Sequence, residues 1–122
     1  MTKQVKYVVI TPVRDEEKFI EKTLHSMLSQ TVKPCEWVIV DDGSTDATGK
    51  IISAYTREYS WIRLICRTNR GFRKAGGGVI EAFYEGYTSM RTKSWDYIVK
   101  LDGDLSFDHD YFEKCFKFFL QI

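Results

Sequence analysis

Four short, nearly unbroken apolar runs punctuate the chain, at residues 7–10, 37–40, 62–65 and 97–101. Runs of this kind, without strict alternation, suit strands covered on both faces of a parallel sheet. They recur at about 25 to 35 residues, the size of a βα unit. The intervals between them carry helical spacing instead. Phe19, Ile20, Leu24, Met27 and Leu28 make one apolar stripe between Asp15 and the stop signals Thr31 and Pro34. Ile51, Ile52, Tyr55 and Tyr59 make a second, on a helix opening near Asp46. A third helix, from about Ala75, carries Val79, Ile80, Phe83, Tyr84, Tyr87 and Met90. A fourth, from near Asp108, carries Tyr111, Phe112, Cys115, Phe116 and Phe119. The rhythm βαβαβαβα predicts an α/β fold, with three α/β/α layers, a mostly parallel sheet and right-handed crossovers.

At 122 residues the chain is shorter than a typical domain of about 150, so a single domain over residues 1–122 is expected. Its 18 basic and 17 acidic residues leave a net charge of +1, which removes any global electrostatic argument for binding nucleic acid. Three cysteines, odd in number and without metal-ligand spacing, read as reduced core thiols. The first apolar run is far too short for a signal-peptide core, so a cytoplasmic chain is expected.

In open parallel sheets ligands bind outside the carboxyl ends of the strands. That rule selects Thr11, Pro12, Val13 and Arg14 after the first run, Asp41, Asp42, Gly43 and Ser44 after the second, residues 67–74 after the third, and Asp102, Gly103 and Asp104 after the fourth. Asp102 and Asp104 bring two hard oxygen ligands to one turn. They suit Mg²⁺ or Mn²⁺, which take one or two carboxylates alongside substrate phosphates and water. Nine aspartates make this spacing common by chance, and Asp108 and Asp110 repeat it. The repeat, however, opens a helix, where acids cap exposed amides. Oxygen-bearing side chains at Asp102, Asp104, Ser106, Asp110 and Glu113 also approximate a calcium EF-hand loop. Phe107 stands where that loop needs glycine, and a strand precedes it instead of a helix.

Asp41 and Asp42 are adjacent like charges that gain nothing structurally at a strand end. One of them is therefore expected to face a ligand donor such as a nucleobase N–H or ribose hydroxyls, while Thr45 or Asp46 caps the next helix. Pro12 and the acids after it form a helix-start signal. Arg14 beside them suits a carboxylate or a phosphate. Arg67, Arg70, Arg73 and Lys74 surround Gly71 and lead into three glycines. This basic loop fits phosphate oxygens through charge and free backbone N–H groups, with a solvated basic turn as the alternative. His25 and His109 belong to no nucleophilic triad, and Trp37, Trp61 and Trp95 read as packing residues.

In order, TPVRDEE (11–17), VDDGSTD (40–46), NRGFRKAGGG (69–78) and LDGD (101–104) resemble the N-terminal half of family 2 glycosyltransferases with the GT-A fold. The resemblance implies an inverting transferase that moves a sugar from a nucleotide-diphosphate-sugar donor to an acceptor such as a glycan, lipid carrier or protein. It would place Thr11 and Pro12 at the base pocket, Asp42 with Asp41 on the base, and Asp102 near the ribose. Asp104, with Asp102 beside it, would hold the Mg²⁺ or Mn²⁺ that bridges the diphosphate. Arg73 and Lys74 would lie close to the donor, although Gly76, Gly77 and Gly78 depart from the family's frequent Ala-Arg-Asn run. Arg14 stands where asparagine is frequent, which leaves its role open.

The family's general base comes after the D-x-D region, and nothing after Asp104 matches its motif. The chain therefore reads as a donor-binding half, truncated before the acceptor side and incomplete for transfer alone. Its phenylalanine-rich end, with Phe116, Phe118, Phe119 and Leu120, is expected to expose apolar surface for missing chain, a second copy or a partner at the cytoplasmic face of a membrane. A sugar nucleotidyltransferase is the alternative enzyme, but residues 11–15 lack the glycine-rich loop it needs. A non-catalytic nucleotide-binding or interaction domain is the alternative outside enzymes.

Overall fold

The computed structural model describes residues 4–68 and 77–120. Strands β1 (Tyr7–Val13), β2 (Glu36–Asp42), β3 (Ile62–Arg67) and β4 (Tyr97–Lys100) alternate with helices α1 (Ile20–Leu28), α2 (Thr48–Glu58), α3 (Gly77–Ser89) and α4 (Tyr111–Leu120). All described pairings are parallel, in the order β3-β2-β1-β4. The two central strands are the most buried, as expected of strands covered on both faces. β1 runs on through Pro12, past its last pairing with β4 at Ile10 and Lys100. There β1 has become an edge on one side, where a residue without an N–H is tolerated.

The pleat divides the core. Tyr7, Val9, Val13, Trp37 and Ile39 face α1, α2 and α4, while Val8, Ile10, Val38 and Val40 pack with Ala82 of α3. Right-handed crossovers explain the division. The chain steps from β1 to β2 to β3 in one direction and then returns across the sheet to β4, so α3 lands on the opposite face. On the first face, Phe112 and Phe116 of α4 lie 4.9 and 4.8 Å from the Tyr7 ring, and Phe116 stacks on Tyr97 at 5.2 Å. At the amino end of β2, Glu36 is buried. Its carboxylate accepts from Arg63 at 2.7 Å, from the Arg91 and Thr92 amides at 3.0 and 2.9 Å, and from the Thr92 hydroxyl at 2.7 Å. Burial pushes this carboxyl up, and the four donors together outweigh it and hold the group below its ordinary value.

Four expectations are corrected. Phe19 precedes α1 and is 48% exposed. On α3 the expected stripe is split: Val79, Ile80, Tyr84 and Tyr87 are exposed, while Phe83, and Met90 just past the helix, are partly buried against the sheet. The helix comes closest to the sheet at Ala82 and Gly86, where a Cβ at Gly86 would lie 2.7 Å from Ile10. Small residues let the backbone approach, which leaves most of the large ones turned away. The cysteines are free, but Cys35 and Cys66 are exposed and Cys115 is half-buried, so they are not core thiols. In the phenylalanine-rich end, Phe116 is buried and Phe118 is exposed. The side chains of Phe119 and Leu120 lie outside the described residues. No helix among the described residues is long and apolar enough to cross a membrane.

Candidate functional site

The chain leaves β1 toward β2 on one side and returns to β4 on the other, so the carboxyl ends of β1 and β4 flank the topological switch point. The Leu101 N–H donates to the Ile10 carbonyl at 3.1 Å and extends that pairing to the brink of Asp102. Gly103 is then buried, and a Cβ there would stand 2.6 Å from Cγ1 of Val13 and 3.4 Å from Cδ1 of Ile20. Only a glycine lets the turn settle so closely on the core. The flanking carboxylates are both exposed. Asp102 pairs with Lys100 (Nζ to Oδ1, 2.9 Å). Among the described residues Asp104 has no hydrogen-bond or ion-pair partner. The following loop is fastened to α1, beginning with Leu105 on the Thr23 hydroxyl.

At the end of β2 the structure corrects the premise that adjacent aspartates gain nothing structurally. Successive residues of a strand point to opposite faces. Asp41 turns toward the first turn of α2, where its Oδ2 would be 2.8 Å from a Cβ on Gly49, and its Oδ1 accepts the Ser44 N–H at 3.0 Å. Asp42 turns toward the first turn of α3, its Oδ2 3.3 Å from a Cβ on Gly78, and its Oδ1 lies 3.3 Å from Nη1 of Arg67. Each carboxylate thus meets a helix N-terminus, which favours negative charge. Arg67 is a strand residue and not part of a loop. It also reaches Glu81 at 3.3 Å and Glu85 at 3.4 Å.

The loops after β1 and β2 are clasped together. The amides of Asp15, Glu16 and Glu17 donate to Ser44 Oγ, Thr48 Oγ1 and Asp46 Oδ2 at 2.9, 2.9 and 3.3 Å. In return, Asp15 Oδ1 accepts the Thr45 amide at 2.8 Å and Glu17 Oε2 accepts the Ala47 amide at 3.0 Å. Asp15 adopts a left-handed conformation (φ 52°), which aspartate tolerates better than most residues. Burial pushes the Asp46 carboxyl up, and hydrogen bonds from Thr48 and the Glu17 amide bring it below its ordinary value. Sequence reasoning assigned these acids to helix starts and missed the clasp, because the partners lie about 30 residues apart.

Of the other expected site residues, Thr11 is buried and its hydroxyl accepts from Trp37 Nε1 at 2.8 Å, so its side chain serves the core. Pro12 and Arg14 are half-buried at the rim. Arg73 and Lys74, with Arg70, lie outside the described residues. Asp108 and Asp110 open α4, where Asp110 pairs with Lys114 at 3.1 Å. No group of three or more His, Cys, Asp or Glu side chains is placed to hold a metal ion among the described residues.

An open parallel α/β sheet with a polar turn at its switch point defines the class of α/β domains that take their ligands in the crevice at the carboxyl ends of the strands. Within that class, the chain matches the model of glycosyl transferase family 2 over residues 8–122 and belongs to that family. The glycosyltransferase GlyA of Streptococcus pneumoniae is 33% identical over 112 residues, covering 92% of this chain and 15% of that protein. The putative teichuronic acid biosynthesis glycosyltransferase TuaG of Bacillus subtilis is 31% identical over 114 residues, covering 93% of this chain and 41% of that protein. This chain thus spans less than half the length of either relative. Among solved structures, residues 1–349 of S. aureus TarS in complex with UDP superpose with a TM-score of 0.73 at 23% identity, covering 96% of this chain and 32% of that one. The mannosyltransferase PcManGT of Pyrobaculum calidifontis, in complex with GDP-Man and Mn²⁺, gives 0.62 at 22% identity, covering 87% of this chain and 29% of that one. The shared architecture is the GT-A fold that the motifs led us to expect.

Proposed function

We propose that this chain supplies the donor side of an inverting glycosyl transfer, binding a nucleotide-diphosphate-sugar along the carboxyl rim with Mg²⁺ or Mn²⁺ at Asp104 and Asp102. One observation carries this reading. Asp104 is an exposed carboxylate at the switch point without a partner among the described residues, whereas Asp15, Asp41, Asp42, Asp46 and Asp102 on the same rim are all engaged. Two carboxylates two residues apart fit a hard cation that takes its remaining ligands from phosphate and water. When bound, such a cation neutralises charge on the leaving diphosphate.

Around that point the chain's own residues bind and orient. Pro12 and the adjoining backbone form the β1 wall of the base pocket, Asp42 with Asp41 beside it in the chain forms the β2 wall, and Asp102 faces the ribose. Arg14, Arg73 and Lys74 carry the positive charge offered to the donor. In the transfer the acceptor oxygen attacks the anomeric carbon as the bond to the diphosphate oxygen breaks, and a base takes the acceptor's proton. Asp110 and Glu113 are held by Lys114, Thr31 and Lys117, so we assign the base to neither. Likeness to proteins seen with UDP, UDP-GlcNAc and GDP-Man supports a nucleotide-sugar donor, and the Mn²⁺ in one of them supports the cation.

The test is calorimetric titration of UDP-, GDP- and dTDP-sugars with and without Mn²⁺. Binding should depend on the metal in the native chain. Asp104→Ala should abolish that dependence while the circular dichroism and unfolding midpoint stay unchanged. A variant that keeps its metal dependence would overturn the assignment.

A further inference from the structure

We propose that Thr23 is a positioning residue for the Asp104 carboxylate, an inference that rests on the metal reading above. Thr23 lies on α1, fully buried, 82 residues away in sequence from the turn it holds. Its Oγ1 donates to the Leu105 carbonyl at 2.7 Å and accepts the Leu105 N–H at 3.0 Å. One hydroxyl thus satisfies both backbone groups of the residue that follows Asp104. On the other side of Asp104, Gly103 is pressed against Val13 and Ile20. Of the three residues 103–105, the outer two have their backbone held by the core and by α1, and Asp104 is carried between them.

The same face of α1 holds the rest of the loop. Ser26 Oγ accepts the Phe107 N–H at 3.2 Å; Gln30, buried just past the helix end, donates to the Asp108 carbonyl at 2.6 Å and accepts the Phe112 N–H at 3.2 Å. Positions 23 and 26 recur at helical spacing and Gln30 follows just past the helix end, so a polar row runs beside the apolar stripe of Ile20, Leu24 and Met27. A threonine hydroxyl within a helix commonly bonds back to its own preceding turn. This one is committed to a distant loop that has no regular structure of its own. A carboxylate that must meet a cation gains from such fixing, because the ordering is complete before the ligand arrives.

The experiment measures Mn²⁺ affinity by electron paramagnetic resonance with saturating UDP, on the full chain and its variants Thr23→Val, Thr23→Ser, Ser26→Ala and Asp104→Ala. UDP affinity without metal and the urea midpoint are measured on the same samples. Thr23→Val should weaken Mn²⁺ by about 10- to 100-fold, the range for groups that orient a metal's ligands. Metal-free UDP binding should not move, and Thr23→Ser should recover the native value. A purely structural role would lower the midpoint while leaving the Mn²⁺ affinity of the folded fraction intact, and that result would overturn the inference. Should Thr23→Val not fold, Ser26→Ala decides: weaker Mn²⁺ binding supports the clamp and native affinity refutes it. If the native chain binds no Mn²⁺ with UDP, or Asp104→Ala binds it equally well, the metal reading fails and Thr23's role falls with it. Failure of Thr23→Val alone leaves that reading standing.

Discussion

The carboxyl ends of β2 and β4 each present two aspartates, and the fold uses them in opposite ways. At β2 they are consecutive, so the pleat sends one to each face of the sheet, and both are drawn inward to a helix start, a turn amide or an arginine. Their exposures are 6% and 9%. At β4 a glycine stands between them and occupies the inward position itself, which leaves both carboxylates in water. One residue of spacing separates an acid that the protein satisfies from an acid left for something else to satisfy. The difference teaches that a polar strand end leaves carboxylates open to a cation where the core takes up the backbone and leaves the side chains over.

A series of alanine substitutions would break or sharpen this contrast. Glu36, satisfied by protein donors alone at the other end of β2, sets the upper limit. Its removal leaves Arg63 with only the Ser89 carbonyl and takes the acceptor from two amides and the Thr92 hydroxyl, and Glu36→Ala should cost about 3–5 kcal/mol. Asp42→Ala should cost about 1–3 kcal/mol, because Arg67 keeps Glu81 and Glu85. Asp104→Ala should stay within about 0.5 kcal/mol. Urea unfolding ranks the three, and an Asp104→Ala loss as large as that of Asp42→Ala would break the comparison. Titration gives an independent check on Glu36. Its folded value lies below the unfolded one, so its contribution is complete above the ordinary glutamate value of about 4.3 and is lost as pH falls through the lower folded value. Glu36→Gln should flatten that acid limb.

Much of this frame is legible in the residues themselves. Continuous runs such as residues 37–40 identify buried parallel strands, and the rule that ligands meet strand ends selects the rim where the fold gathers Asp41, Asp42, Asp102 and Asp104. What is hidden depends on partners distant in sequence. Periodicity cannot tell which face of α3 is covered, and the glycine and alanine that let it approach β1 and β2 carry no hydrophobic signal. Nor can it pair Asp15 with Thr45, or Thr23 with Leu105. The adjacency of Asp41 and Asp42 looked costly because a linear reading ignores the pleat that separates them. The D-G-D spacing drew attention for its acids, while its glycine, fixed by Val13, is what makes those acids available.

Two glycines sharpen the contrast at the next level of effect. Gly103→Ala would drive a Cβ into Val13, and overpacking of this kind costs about 1–3 kcal/mol. The same change should weaken Mn²⁺ binding, because the turn must lift. Gly43, in the β2 turn, has φ 74°, so Gly43→Ala should cost about 1–2 kcal/mol through backbone strain. The two losses differ in origin and should be rescued differently. Adding Val13→Ala should recover part of the Gly103→Ala loss by making room, and should do nothing for Gly43→Ala. Equal rescue of both, read from the unfolding midpoints, would mean that the turn at β4 is not held by contact with Val13.

The smallest effect probes the one interaction that makes β4 resemble β2. Lys100 pairs with Asp102 at 2.9 Å, but both side chains are largely exposed, at 44% and 62%. Pairs of this kind contribute at most about 1 kcal/mol, so Lys100→Met should leave the unfolding midpoint almost unchanged. Its consequence belongs to the ligand. The ammonium competes for Oδ1 of Asp102, and removing it should tighten Mn²⁺ binding with UDP present by about two- to fivefold, the free energy of one exposed ion pair. The gain should shrink as ionic strength rises, since screening already weakens the pair in the native chain. Weaker Mn²⁺ binding in Lys100→Met would instead make Lys100 a contact of the diphosphate. The positive charge beside Asp102 would then belong to the donor site, and β4 would differ from β2 in carrying both signs of charge for its ligand.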